Sequence, residues 1–82
     1  MILVDIYVPV LDEIYDFHLD EHTEIGILIE EAAEMICQKE QCPLKGSAED
    51  LSLWKLDSRY LLSRRNTLAE AGVTAGDKLL LV

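Results

Sequence analysis

The chain has 82 residues, half of them hydrophobic, and a formal net charge of −9. That length and composition imply one folded domain over residues 1–82 with a modest core, globular and not disordered. The acidic balance repels nucleic-acid phosphates and anionic lipid, so neither nucleic-acid binding nor membrane insertion is expected.

The charge is uneven. Residues 1–42 hold eleven acids and one base, Lys39, whereas residues 43–82 hold five acids and six bases. The acids keep a small domain soluble and are compatible with a basic partner. Residues 1–10 are apolar but few, lack a basic start and contain Asp5, so they read as neither a secretory signal nor a membrane span. A cytoplasmic protein with reduced thiols at Cys37 and Cys42 is expected.

Residues 2–8 are rich in β-branched and aromatic types. Ile2, Val4, Ile6 and Val8 share one face and should meet the core, with Leu3, Asp5 and Tyr7 on the other. Pro9 ends that strand. Residues 10–13 read as a turn. Residues 14–19 then alternate, with Tyr15, Phe17 and Leu19 opposite Asp16 and His18, which makes a hairpin. Thr23 is the expected N-cap of a helix, with Glu24 in its first turn. From Ile25 the period becomes helical: Ile25, Leu28, Ile29, Ala32 and Ile36 form a stripe, with Ala33 and Met35 at its edges and Glu24, Glu30, Glu31, Glu34 and Gln38 opposite. Gly26 is costly so near a helix start, and Ile27 falls off the stripe towards the hairpin.

Residues 39–50 read as a loop, because Pro43 cannot continue a helix. Residues 51–56 read as a strand that is apolar on both faces. Either Leu51 and Leu53 or Trp54 and Leu56 must face outward. A turn at Asp57 and Ser58 precedes a short strand over residues 60–62, and residues 63–66 form an exposed link. Thr67 and Leu68 open a one-turn helical segment. Gly72 and Gly76 can adopt positive φ, and residues 78–82 form a final strand, with Leu79 and Leu81 inward and Leu80 and Val82 outward.

This order resembles the ubiquitin-like β-grasp superfamily. The resemblance rests on the first strand, the strand Tyr15-Asp16-Phe17-His18-Leu19, the Thr23 cap, the Ile25/Ile29 stripe and Thr67-Leu68-x-x-x-Gly72-Val73-x-x-Gly76-Asp77-Lys78-Leu79. It implies an α+β fold: a mixed four- or five-stranded sheet wraps one helix, with the first and last strands adjacent at its centre. Within that superfamily the chain is most similar to the YukD/EsaB family of bacterial type VII secretion accessory proteins. The resemblance thus implies a non-catalytic interaction module whose partners are secretion-machinery proteins. Modifiers and sulfur carriers need a flexible tail ending in Gly-Gly, and here no glycine follows Gly76, so conjugation is not expected. The alternative is a ubiquitin-like carrier or a small subunit of a multicomponent enzyme.

Other chemistry finds little support. Cys37 and Cys42 form one C-x4-C spacing, with His18 and His22 elsewhere, whereas zinc sites use paired spacings. No metal or cofactor is expected, and Cys37 reads as a packed small hydrophobe. Asp16 and His18 could form an acid–base pair but lack a nucleophile, so no enzyme is read. The sheet's outer face is more informative. Leu3, Tyr7, Trp54, Leu80 and Val82 are the candidate protein-interaction residues, with Lys55, Arg59, Arg64 and Arg65 near them. A covering loop over residues 39–50 or weak homodimerisation would occupy the same face.

Overall fold

The computed structural model describes residues 1–41 and 50–82. Among them the elements are β1 (Ile2–Val8), β2 (Glu13–Leu19), α1 (Ile25–Glu40), β3 (Leu53–Lys55), β4 (Tyr60–Leu61) and β5 (Lys78–Leu81). The five strands form one mixed sheet in the order β2-β1-β5-β3-β4. The central pair β1–β5 is parallel and the others are antiparallel. The first and last strands therefore lie together at the centre, as the β-grasp resemblance implies.

Alternation in β1 and β2 places Val4, Ile6, Val8, Tyr15, Phe17 and Leu19 in the core. The turn between them is Pro9 to Asp12, one residue earlier than expected: Leu11 N–H donates to Val8 C=O and Asp12 N–H to Pro9 C=O, both at 3.1 Å. Asp12 takes φ 51°, a left-handed conformation that a short polar side chain tolerates. Glu13, expected in the turn, pairs with Val8 and opens β2.

The helix buries Ile25, Leu28, Ile29, Ala32, Ala33 and Ile36. Its expected start is corrected. Glu24, not Thr23, is the N-cap residue, no side chain caps it, and the first turn carries no acid. Thr23 is instead drawn into a turn with Asp20, whose carbonyl accepts its N–H at 3.1 Å. The first helical donors are met by main chain from the link after β4: Ile25 N–H donates to Asn66 C=O at 2.8 Å and Gly26 N–H to Arg64 C=O at 3.0 Å. Carbonyls from a distant segment thus do the work of a capping side chain. A Cβ at Gly26 would stand 3.4 Å from the Arg64 oxygen, an ordinary contact, so the approach does not itself require glycine.

At its other end α1 runs to Glu40, so Lys39 and Glu40 are helical and not loop. Gln41 closes it at φ 55°. Ile27, off the stripe, is 47% exposed. The remainder of the expected loop, with Cys42, Pro43, Gly46 and Ser47, lies outside the described residues.

β3 is shorter than expected, Leu53–Lys55, although main-chain bonds join Ser52 to Val82 and Leu56 to Lys78 at its two ends. Leu51 and Leu53 take the inward side, Leu53 being buried and Leu51 packed at the core's edge. β4 ends at Leu61, although Leu62 N–H still donates to Leu53 C=O at 2.9 Å and its side chain is buried. Thr67 opens a hydrogen-bonded turn that seats Leu68 and Val73 in the core. Gly76 at φ 88° then turns the chain into β5. Its N–H donates to Leu3 C=O at 2.7 Å, locking the turn onto β1.

Candidate functional site

Helix α1 covers one face of the sheet. On the other face strand register decides which side chains meet. Tyr7 pairs with Ile14 on one side and Leu80 on the other. Leu80 pairs with Trp54, and Trp54 with Leu61. Ile14, Tyr7, Leu80, Trp54 and Leu61 therefore form one apolar row across all five strands, about 19 Å long at ordinary strand spacing. Its ends are open to solvent: Ile14 is 64% exposed and Leu61 49%. Leu3 and Val82, towards the ends of β1 and β5, are exposed as well.

All five expected interaction residues thus lie on the outer face. The structure brings Tyr7, Leu80 and Trp54 into direct register and leaves Leu3 and Val82 beside that row. The open question at β3 is resolved with Trp54 and Leu56 outward. Ile14 and Leu61 were not among the expected residues. Ile14 shares parity with Asp16 and His18, so its direction was available from the sequence. Leu61 depends on the register of a two-residue strand, which no sequence pattern specifies.

Trp54, Leu56, Arg59, Leu80 and Val82 line an open groove of about 550 Å³. The apolar floor comes from β3 and β5, and Arg59 in the β3–β4 turn supplies a cation at its rim. Arg59 holds φ 52°, which costs a residue with a Cβ roughly 1–2 kcal/mol. Lys55 also lines the groove and is ion-paired with Asp77 at 3.7 Å, each side chain 22% exposed. Arg64 donates from Nη1 to Leu51 C=O at 2.6 Å while its own carbonyl receives the helix start.

Beside the apolar row lies a charged one, Asp16–Asp5–Lys78. A hydrogen bond to Asp16, loss of hydration and the Asp16 charge together raise the Asp5 carboxyl above its ordinary value, with Lys78 pulling the other way. Tyr7 donates from its hydroxyl to Asp12 Oδ1 at 3.1 Å. That bond, with partial desolvation, holds the phenol protonated above its ordinary range. It also fixes the ring at the centre of the row.

Among the described residues no three His, Cys, Asp or Glu side chains are grouped to hold a metal ion. No helix among them is long and apolar enough to cross a membrane. Cys37 is half-buried on α1, and Cys42 lies outside the described residues. The acids on the helix, Glu24, Glu30, Glu31 and Glu34, are all exposed.

One helix held in a five-stranded mixed sheet with a parallel central pair defines a ubiquitin-like β-grasp domain. No protein-family model and no curated protein matches the sequence. Among solved structures the chain is similar to the EccD5 ubiquitin-like domain from Mycobacterium xenopi, with 25% identity and a TM-score of 0.78 over 99% of this chain and 91% of that one. It is similar to Caldiarchaeum subterraneum ubiquitin at 18% identity and TM-score 0.68, covering 98% of this chain and 89% of that one. A chain in the crystal structure of ATBAG1 in complex with HSP70 aligns at 18% identity and TM-score 0.71. There the match covers all of this chain but 40% of the other.

Proposed function

We propose that this chain is a non-catalytic protein-interaction module, an accessory or regulatory component of a bacterial type VII secretion system. It docks a protein partner on the outer face of its sheet. The observation that carries the reading is the row Ile14, Tyr7, Leu80, Trp54 and Leu61, continuous across five strands. A contiguous exposed apolar patch marks an interface, and a half-buried Trp beside a pinned Tyr supplies rigid anchors at low entropic cost. The likeness to an EccD5 ubiquitin-like domain supports the secretion setting. The YukD/EsaB resemblance of the hairpin and of residues 68–79 agrees with it.

The test is binding to the cytoplasmic domains of the secretion machinery by titration calorimetry. Leu80→Asp places a charge at the centre of the row and is expected to weaken binding about thirtyfold or more. Tyr7→Ala should weaken it less. Unchanged affinity in both variants, with native circular dichroism, removes the sheet face from the mechanism. Sedimentation at increasing concentration reads the case in which the partner is a second copy. A carrier or modifier, the rival class, is detected as an adenylate by mass spectrometry with an activating enzyme.

A further inference from the structure

The outer face carries a second pattern, the order of charges beside the apolar row. Leu56 N–H donates to Lys78 C=O at 3.0 Å. The β3–β4 register, carried one residue into the turn, sets Leu56 opposite Arg59. The row that begins Asp16–Asp5–Lys78 therefore continues through Leu56 to Arg59. Asp5, Lys78 and Leu56 line a small outer-face cavity with Tyr7 and Ile14. Leu56 and Arg59 line the groove with Trp54 and Leu80. Asp16, Lys78 and Arg59 are exposed, and Asp5 and Leu56 are half-buried.

Read across the sheet, the order is acid, acid, base, apolar, base. Its two acids and two bases make this row neutral, in a chain of net charge −9. The exposed helix acids Glu24, Glu30, Glu31 and Glu34 belong to the other side of the sheet, which α1 covers. A uniformly basic partner would meet Lys78 and Arg59, and a uniformly acidic one would meet Asp5 and Asp16. Each is repelled at one end of the row. A copy of the same face with its strand order reversed is matched at both ends.

We propose that the outer face pairs with the outer face of a second copy, about a two-fold axis parallel to β5. That operation lays β2 over β4 of the second copy, β1 over β3 and β5 over β5, with the sheets about 10 Å apart. In the apolar row Ile14 meets Leu61, Tyr7 meets Trp54, and Leu80 meets Leu80 at the axis. In the charged row Asp16 meets Arg59, and Asp5 stands over Leu56. Lys78 falls at the axis, where Asp5 of its own sheet offsets its charge. The contact is isologous, so the Asp16–Arg59 pairing occurs on both sides of the axis. The proposal rests on the outer-face reading and names an occupant for that face. Self-pairing covers the apolar row, so it and docking of a secretion-machinery protein exclude one another. At about 19 by 13 Å, the face is smaller than the roughly 800 Å² per partner of a standard interface. Two chains of this net charge also repel at long range. The pairing is therefore weak and needs salt to screen that repulsion.

The test is sedimentation equilibrium of the full chain from about 10 μM to about 1 mM, in about 0.15 M salt. A reversible dimer with a Kd on the order of 0.1 mM is expected. Asp16→Arg and Arg59→Asp each set like charges together and should weaken pairing at least about tenfold. Both positions are exposed, and aspartate tolerates the φ of 52° at residue 59. Mixed in equal amounts, the two variants should form a heterodimer about as tight as the parent dimer, because each aspartate then faces an arginine. The double variant Asp16→Arg with Arg59→Asp should recover self-pairing, and serves if one single variant does not fold. Amide NMR shifts on mixing should centre on Tyr7, Trp54 and Leu80. Three results each overturn the proposal: a parent chain monomeric throughout that range, folded single variants that do not recover on mixing, or shifts centred away from the outer face. None of them touches the outer-face reading itself. That reading fails on its own measurement, the affinity of Leu80→Asp for the secretion machinery, in which no second copy takes part.

Discussion

Asp5 and Asp16 face each other across β1 and β2, and their repulsion gives the domain a pH signature. The Asp5 pKa is raised from 3.8, first by the hydrogen bond to Asp16, then by desolvation and the Asp16 charge. The folded state thus holds that proton more tightly than the unfolded chain. Between the ordinary and the raised value the native state carries the extra proton, so stability falls as pH rises through that window. Asp5→Asn is therefore expected to be more stable than the parent at neutral pH, with the difference shrinking on acidification towards the ordinary carboxylate range, as read from urea midpoints. Asp20 acts in the opposite sense. Its pKa is lowered by the bond from His22 N–H and by Thr23, so its contribution is lost only as pH falls below 3.8. The facing pair was legible in part: outward parity came from alternation, but the pairing of Asp5 with Asp16 needed the exact turn length. Placing the turn one residue late, at residues 10–13, hid it.

The element that carries most information per residue is the segment after β4. Thr67 and Glu70 cap each other: Thr67 N–H donates to Glu70 Oε1 at 3.1 Å, and Glu70 N–H donates to Thr67 Oγ1 at 3.1 Å. This reciprocal box is a T-x-x-E signature visible in the sequence, and it fixes the turn that seats Leu68. Thr67→Ala is expected to cost about 1 kcal/mol, seen as a lowered urea midpoint with an unchanged slope. Glu70→Ala in the same background should add less than it costs alone, because the two side chains share one network. Residues 63–66 show the opposite case. They look like an exposed polar link, yet their carbonyls receive the first donors of α1. A main-chain acceptor has no side-chain signature, so local pattern favoured Thr23 as the cap and the tertiary contact displaced it. The helix stripe, by contrast, was legible almost residue for residue, because burial enforces its period.

At the scale of the molecule, alternation and period sufficed for the sheet-and-helix layers and for the inward sides of β1, β2 and β5. They could not supply the register between β3, β4 and β5, and hence the row that Leu61 completes. All the layers meet at Leu79, fully buried on the central strand and paired with Ile6 and Lys55. Leu79→Ala is expected to cost about 2–5 kcal/mol, against the roughly 5 kcal/mol available to a domain of this size. Its urea midpoint should fall steeply, and at the upper end of that range about half of the molecules are unfolded without denaturant.

The parallel pairing of β5 beside β1 also sets an order of events during biosynthesis. The hairpin β1–β2 is complete at Leu19, but β1 cannot gain its second neighbour until Leu81 has been made. At about 5–20 residues per second that interval is roughly 3–12 s. Throughout it Val4, Ile6 and the apolar stripe of α1 have no finished core to enter. Closure of the domain therefore belongs to the moment when β5 leaves the ribosome.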